Sequence, residues 1–367
     1  MSELLSKIAD FEDVFIFGCG NVGRHIYEQL VNDKVSATIR FCDNQHGTQH
    51  HSADVLAPEE AAINFPNALY IVGSIIHFLP MHMQLKDLGI PEKNIIARWV
   101  QTDSRLIPKP FIGNLPYHLT EHCNLKCAGC LHFSNIADEE FADIETFKET
   151  FKRFIDVMGT AFKGGIEIFG GEPLLHPKIE QFLFAARELI PGRTVSIITN
   201  GVLLTQMPES FWEACSRLQV HITISSYPIN LDLFEIKCLA SERGITVYIS
   251  DRDKGAWSQY VMDLSGTQDM QKSFVNCENA NERFILKDRY LYPCSVTACI
   301  EHFNKAFGQK LELRNEDRLD LFSDITAQDV LCFISTPVPF CRYCNREKLK
   351  LGQTWRLSER IIDEYLD

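Results

Sequence analysis

Short apolar runs alternate with amphipathic stretches of helical period along much of this chain. Asp13–Phe17 is typical of a buried strand, Arg24–Asn32 carries apolar residues at the spacing of one helix face, and Ala37–Phe41 predicts a second strand. Further strands are predicted at Leu69–Ser74 and Ile95–Ala97. Strands that alternate with helices form parallel sheets, because each helix carries the chain back to the start of the next strand. The pattern therefore predicts an α/β protein.

The same alternation returns after residue 110. Strands are predicted at Leu115–Thr120, Gly165–Phe169, Thr194–Ile198, Val220–Ile224 and Ile245–Ile249, and helices at Glu139–Met158, Lys178–Leu189, Phe211–Arg217 and Leu231–Arg243. Polar residues follow several of these strands directly. Functional residues at the carboxyl ends of parallel strands are typical of barrels. We therefore expect a partial (β/α)6 barrel of the TIM type with its site at that end.

The regular pattern breaks at two places, which predict the domain boundaries. Leu106–Pro110 contains two prolines and is predicted to be a linker. Lys254–Asn276 is predicted to be irregular, Arg283–Tyr292 to form a β-hairpin, and Asn345–Asp367 to be a charged helix on the surface. The expected domains are residues 1–105, residues 106–270 and residues 271–367, the last a small domain with the hairpin.

Composition and charge exclude several classes of protein. The 367 residues are 45% hydrophobic, which is enough for packed cores. The net charge is −13 and no basic run is present, which argues against nucleic acid as a partner. The N-terminus lacks a signal-peptide pattern, and no apolar run approaches the length of a membrane span. We expect a soluble, cytoplasmic protein with no membrane partner.

The opening βαβ pattern carries a glycine motif. Gly18, Gly20 and Gly23 form a G-x-G-x-x-G between the first strand and its helix, and Asp43 follows the second strand about twenty positions on. The glycines permit a tight turn, the helix N-terminus favours an anion, and an acidic residue there suits a ribose hydroxyl. We expect a Rossmann-like domain that resembles the small nucleotide-sugar-binding domains of some sugar-modifying enzymes. The alternative is a degenerate unit used for docking or dimerisation.

Three of the thirteen cysteines are closely spaced on one loop. Cys123, Cys127 and Cys130 follow the pattern C-x3-C-x2-C. Three thiolates are one short of the usual set for a four-iron cluster, so a cluster held in this way would leave one iron open to another ligand. Zinc is the alternative and would need a fourth ligand. Histidines that could supply it are His118, His122 and His132.

The cysteine loop and a second motif, Gly170-Gly171-Glu172-Pro173 after the strand Gly165–Phe169, together resemble the radical S-adenosylmethionine (SAM) superfamily. The resemblance covers about residues 110 to 345. It implies that Cys123, Cys127 and Cys130 hold a [4Fe–4S] cluster whose open iron binds SAM. It implies reductive cleavage of SAM to a 5′-deoxyadenosyl radical, which abstracts a hydrogen atom from the substrate. It also implies a reductant such as flavodoxin or ferredoxin.

The resemblance also assigns SAM-binding roles. Gly170, Gly171 and Glu172 would hold the methionyl amino group, Pro173 would fix the turn, and Asn200 and Ser225, at the ends of the next two strands, would contact ribose hydroxyls or the carboxylate. The chain departs from the family at Gly129, where an aromatic residue usually precedes the third cysteine. Phe133 or His132 would then supply the adenine contact.

A second cysteine group lies near the C-terminus. Cys277, Cys294, Cys341 and Cys344 resemble the twitch module, a shortened form of the SPASM domain, and would hold a second, auxiliary [4Fe–4S] cluster. Such a cluster would accept an electron from a substrate radical, giving oxidation, or return one, giving epimerisation. A structural zinc site is the alternative. Cys299 and Cys332 are the alternative ligands if one of these four cysteines does not bind the metal group.

The two ends of the chain together suggest a sugar or sugar-nucleotide substrate, oxidised or epimerised at a carbinol carbon. The alternatives are an enzyme that modifies a peptide and a non-catalytic electron-transfer protein. A histidine or tyrosine at a strand end could take a proton from the substrate radical. Candidates at the strand ends are Tyr117, His118, Tyr227, Tyr248 and Arg252.

Overall fold

The chain folds into two units, each described here by itself. The computed structural model describes residues 7–45, 49–50, 53–74, 78–96, 100–101, 105–106, 111–250, 256–277, 279–280 and 282–367. One unit comprises Met1–Ile107 and Phe274–Glu282, and the other comprises Pro108–Ser273 and Arg283–Asp367. None of the described helices is long and apolar enough to cross a membrane.

The first unit is built on a six-stranded sheet. Its elements in chain order are β1 (Asp13–Phe17), α1 (Asn21–Asn32), β2 (Thr38–Cys42), β3 (Gln49–His50), β4 (Ala53–Leu56), α2 (Pro58–Asn64), β5 (Leu69–Val72), α3 (Phe78–Asp87) and β6 (Ile95–Ile96). The strand order is β3-β4-β2-β1-β5-β6, and every neighbouring pair is parallel except β3 with β4. The predicted strands and the first helix are confirmed.

Alternate residues of β1 enter two different hydrophobic cores. Ile16 packs in one core with Leu30 of α1, and Phe17 packs in the other with Ala61 of α2. Helices therefore cover both faces of this sheet, which explains why its strands are almost wholly apolar.

The turn between β1 and α1 depends on close backbone packing. A Cβ on Gly23 would lie 1.9 Å from the carbonyl oxygen of Gly18, whereas a Cβ on Gly20 would meet nothing within 4 Å. The backbone N–H of Cys19 donates to Oδ2 of Asp43 at 2.8 Å. Gly23 is therefore required for packing, and Asp43 joins the turn to the end of β2.

We expect Gly23→Ala to destabilise the first unit by about 2 kcal/mol or more, because the added methyl group overlaps backbone that cannot move freely. The matched variant Gly20→Ala should change the free energy of unfolding by less than about 0.5 kcal/mol. Thermal unfolding followed by circular dichroism measures both. Equal losses in the two variants would contradict this packing.

The first unit also contains a short antiparallel pair, β7 (Val100–Gln101) and β8 (Arg105–Leu106). The second unit contains a larger sheet. From Leu115 onward the elements in chain order are β9 (Leu115–His118), α4 (Ile144–Met158), β10 (Ile166–Phe169), α5 (Ile179–Leu189), β11 (Val195–Thr199), α6 (Glu209–Arg217), β12 (Val220–Ile224), α7 (Leu233–Ser241), β13 (Val247–Ile249), β14 (Ala256–Met262), α8 (Met270–Val275), β15 (Ile285–Lys287), β16 (Tyr290–Tyr292), α9 (Ser295–Phe307), β17 (Leu319–Asp320), α10 (Ala327–Ile334) and β18 (Cys344–Thr354).

This sheet has eight strands in the order β13-β12-β11-β10-β9-β15-β16-β17. The strands from β13 to β15 are parallel to their neighbours, and β16 and β17 are antiparallel. Ile168 and Ile197 pack with Phe147 and Phe151 of α4 in one large core. The mixed α/β architecture with parallel strands is the one expected, and it is consistent with a partial barrel.

The C-terminal part differs from the prediction. The hairpin of β15 and β16 forms, but β15 also pairs in parallel with β9. The hairpin therefore extends the large sheet instead of belonging to a separate small domain. The part of Lys254–Asn276 that the structure describes contains β14 and α8, so it is not irregular.

The helix expected at Asn345–Asp367 is also wrong. Cys344–Thr354 is a strand that pairs antiparallel with β14. The physical reason is visible in the sequence, where Leu349 and Leu351 alternate with Lys348 and Lys350 at the period of a strand. Charged residues are abundant on exposed strands as well as on exposed helices, so charge alone does not identify this segment as a helix.

Candidate functional site

The loop with Cys123, Cys127 and Cys130 follows β9 and lies against the turn that follows β10. The backbone N–H of Gly171 donates to the carbonyl oxygen of Thr120 at 2.7 Å, and that of Glu172 donates to the carbonyl oxygen of His122 at 3.1 Å. The residues just before the first cysteine are thus joined to the second motif. The structure thus brings together two motifs that lie about 40 residues apart in the sequence.

Glycine is required for this contact. A Cβ on Gly171 would lie 2.1 Å from the carbonyl oxygen of His122, and a Cβ on Gly170 would lie 2.6 Å from that of Thr120. Gly170 also has a φ of +149°, which side chains rarely adopt. Pro173 then begins the single 3₁₀ turn Pro173–Leu175, where its fixed φ is suitable.

Hydrogen-bond donors of the protein point at the sulfur atoms of Cys123 and Cys127. Cys123 Sγ accepts from the backbone N–H of Leu125 at 3.4 Å and from Nδ2 of Asn200 at 3.6 Å, and Cys127 Sγ accepts from Nε1 of Trp355 at 3.1 Å. Burial raises the pKa of the Cys123 thiol to about 12. Because a coordinating cation deprotonates a thiol outright, these donors suit thiolates that hold a metal group.

Glu172 is fully buried and joins the ends of two strands. Its Oε1 accepts from the Thr199 hydroxyl at 2.6 Å and from the Leu174 N–H at 3.1 Å, while Oε2 accepts from the Asn200 N–H at 2.8 Å. Burial raises the pKa of this carboxyl to about 7, against the lowering effect of the three donors. Both oxygens are occupied by protein donors, so the predicted contact of this side chain with the SAM amino group stays a prediction.

Asn200 and Ser225 follow β11 and β12 directly, as predicted. Asn200 Nδ2 donates to Oδ1 of Asn124 at 2.8 Å, so its side chain lies against the cysteine loop. Ser225 is half-buried, and its N–H donates to the carbonyl oxygen of Thr199 at 2.9 Å. Their predicted contacts with SAM stay predictions.

The two residues predicted to contact adenine lie in different surroundings. Phe133 is only 1% exposed and packs against Phe303 and Tyr365, with ring centroids 5.3 and 5.2 Å away. The adenine contact stays a prediction for both residues. His132 is half-buried and stacks on His118. Gly129 has a φ of +59°, a left-handed conformation that glycine adopts without steric cost.

The residues predicted to accept a proton differ widely in how exposed they are to solvent. Tyr117 lies in the core with Phe147 and Phe151, and its catalytic role stays a prediction. Tyr227 is half-buried near the cysteine loop, where burial and the neighbouring cysteines raise the pKa of its hydroxyl well above 10. Tyr248 is 53% exposed. Arg252 lies outside the described residues.

His118 belongs to a buried charged network that the sequence did not reveal. Its Nδ1 lies 3.1 Å from Oε1 of Glu121, and Oε2 of Glu121 lies 2.8 Å from Nζ of Lys287 and 2.6 Å from Nε2 of His302. Burial raises the pKa of Glu121, but His118, His302 and Lys287 together hold it well below its usual range. Burial lowers the pKa of His118. The network therefore joins β9, β15 and α9 by charge.

Three cysteines of the second group lie in the second unit. Cys294 precedes α9, Cys341 lies in the 3₁₀ turn Pro339–Tyr343, and Cys344 begins β18. Cys294 and Cys341 both pack against one hydrophobic cluster. Cys277 falls in the segment that groups with the first unit. A shared metal group at these four residues stays a prediction.

Comparison with known proteins identifies the region that carries both motifs. Residues 117–235 match the model of the radical SAM superfamily. A GTP 3′,8-cyclase from Alkaliphilus oremlandii is 30% identical over 118 residues, which cover 31% of this chain and 35% of that protein. A probable GTP 3′,8-cyclase from Methanocella arvoryzae is 35% identical over 103 residues, 28% of this chain and 31% of that protein. The chain spans about a third of the length of these curated relatives.

Solved structures give weaker likenesses. BtrN in complex with AdoMet and 2-DOIA has a TM-score of 0.40 and 16% identity, over 65% of this chain and 94% of that one. The protein anSMEcpe with bound AdoMet has a TM-score of 0.30 and 21% identity, over 38% and 42%. Similarity at this level does not bear on activity.

Proposed function

We propose that this chain, whose residues 117–235 form a radical SAM domain, abstracts a hydrogen atom from its substrate. Radical SAM proteins use a [4Fe–4S] cluster and SAM, which together supply a 5′-deoxyadenosyl radical when bound. Cys123, Cys127 and Cys130 would hold the cluster. The observation that carries the proposal is the contact between the cysteine loop and the turn at Gly170–Glu172.

The chain's own residues would position and shield these groups. The glycine turn holds the cysteine loop in place, and the buried Glu172 fixes the neighbouring ends of β10 and β11. N–H donors at Cys123 and Cys127 would stabilise thiolate charge. Asn200 and Ser225, at consecutive strand ends, would contact SAM. Together these residues would exclude water from the reacting atoms, as radical chemistry requires.

With SAM and dithionite, the anaerobically reconstituted protein should produce 5′-deoxyadenosine, measured by chromatography. Cys127→Ala should lower this production at least a hundredfold, because the cluster loses a ligand. Cys215→Ala is the matched control, since this thiol is buried in α6 and should not hold the cluster. No 5′-deoxyadenosine from a wild-type protein with a full complement of iron would contradict the proposal.

The second cysteine group would hold an auxiliary [4Fe–4S] cluster that exchanges an electron with the substrate. Cys294 and Cys341 border one cluster of buried side chains, and Cys344 is fixed in register opposite Met262. A cluster with four thiolate ligands has no open iron, so its role would be electron transfer. Electron acceptance would make the net reaction an oxidation, and electron return would permit epimerisation.

Iron analysis tests the auxiliary cluster. The wild-type protein should hold about eight iron atoms per chain and Cys294→Ala about four, because a four-iron cluster needs its thiolates. Cys332→Ala, which alters a half-buried thiol in α10, should retain about eight. About four iron atoms and one zinc ion in the wild-type protein would show instead that this group is a structural zinc site.

The substrate we propose is a sugar or sugar nucleotide, attacked at a carbinol carbon, with flavodoxin or ferredoxin as reductant. Two features of the first unit support this choice. The parallel strand order β4-β2-β1-β5-β6 resembles that of a Rossmann-like half-sheet, and the glycine turn and Asp43 follow the neighbouring strands β1 and β2. The relatives are named for GTP, which is also a nucleotide.

A substrate panel tests this choice. Nucleoside-diphosphate sugars deuterated on the sugar ring should increase 5′-deoxyadenosine production at least tenfold. Mass spectrometry should detect the abstracted deuterium in the 5′-deoxyadenosine. A ring-protonated sugar nucleotide is the control for exchange with solvent. Stimulation by a peptide library and by no sugar would show that the chain is instead an enzyme that modifies peptides.

A further inference from the structure

A segment near the C-terminus pairs with the cysteine loop at an isolated β-bridge. We call Trp355–Ser358 the C-terminal cap. The N–H of Ala128 donates to the carbonyl oxygen of Arg356 at 3.0 Å, and the N–H of Ser358 donates to that of Lys126 at 2.9 Å. Cys127 and Leu357 form an antiparallel bridge. The central cysteine of the loop is therefore held between two backbone hydrogen bonds.

The first residue of the cap contacts the sulfur atom itself. Trp355 Nε1 lies 3.1 Å from Cys127 Sγ. The indole nitrogen can only donate, so the direction of this hydrogen bond is fixed whatever the state of the sulfur. Trp355 is half-buried, and its ring centroid lies 6.3 Å from that of Tyr227. The donor is therefore placed at the cluster side of the loop by packing as well as by hydrogen bonding.

Buried residues that follow the cap hold it in place. The carboxylate of Glu364 accepts hydrogen bonds from Arg356 Nη1 at 2.8 Å and from the Ser358 hydroxyl. Asn135 links the two sides, since its Nδ2 donates to Ser358 Oγ and its Oδ1 accepts from the Tyr365 hydroxyl, both at 2.8 Å. Strand β18 fixes the chain immediately before the cap. The donor is thus preorganised, which reduces the entropy lost in making the bond.

We propose that Trp355 is a positioning residue of the cluster site that acts through Cys127 and raises the reduction potential of the cluster. This inference rests on the proposed function, because it requires that the cysteine loop hold a cluster. Reduction adds an electron whose charge is shared with the thiolate ligands, so a donor at sulfur stabilises the reduced form more than the oxidised form.

A redox titration of the intact, reconstituted protein tests the inference without substrate turnover. The readout is the electron paramagnetic resonance signal that changes when SAM is added, which identifies the cluster with the open iron. Trp355→Phe keeps an aromatic ring but removes the donor. At the wild-type midpoint potential, we expect the ratio of reduced to oxidised cluster to fall about tenfold, equal to about 59 mV for one electron.

Leu357→Ala is the matched control. This residue also belongs to the cap, but its side chain is 60% exposed. The cluster of the Leu357→Ala protein should therefore have the wild-type reduction potential. A Trp355→Phe protein with wild-type iron content and an unchanged potential would overturn the inference and leave the proposed function standing. A wild-type protein that takes up no iron–sulfur cluster would overturn both.

A second measurement uses the unaltered chain, in case Trp355→Phe assembles no cluster. Tryptophan labelled with ¹⁵N in the indole ring would be incorporated at all four tryptophans. Pulsed electron paramagnetic resonance of the reduced, SAM-responsive cluster should then detect a coupled ¹⁵N nucleus, because Trp355 donates to a ligand sulfur. Absence of this coupling would overturn the inference.

Discussion

The site depends on the close contact between two stretches of backbone, Thr120–His122 and Gly170–Glu172. Two hydrogen bonds cross this contact, and neither Gly170 nor Gly171 leaves room for a side chain. The parallel pairing of β9 and β10 brings these stretches to the same edge of the sheet. The contact therefore brings two distant sequence motifs together in one site. It also fixes the position of His122, the residue before the first cysteine.

Residues from the last third of the chain complete this site from the other side. Lys287 and His302 bind the buried carboxylate of Glu121, two residues before the first cysteine. Removal of one partner would leave a buried charge without compensation, which is costly. The C-terminal cap reaches the same loop at Cys127. Assembly of the cysteine loop thus requires strands and helices that follow it by more than 150 residues.

The sequence predicted much of this arrangement because its strongest signals are local. The buried strands, the glycine turns and the cysteine spacing each depend on a few neighbouring residues. Only the fold shows that Tyr117 and Phe133 pack in hydrophobic cores. The network of Glu121 and Lys287 could not be predicted, since β9 and β15 pair across a long gap in sequence. The contact of Trp355 with Cys127 joins residues 228 positions apart, so no local pattern indicates it.

The central claim is that the cysteine loop holds a cluster with one iron open to SAM. The most direct test is the electron paramagnetic resonance spectrum of the reduced protein before and after SAM is added. We predict that SAM shifts the g values of one cluster signal, because a new ligand at the open iron changes its electronic structure. An unchanged spectrum, in a protein with a full complement of iron and saturating SAM, would contradict the account.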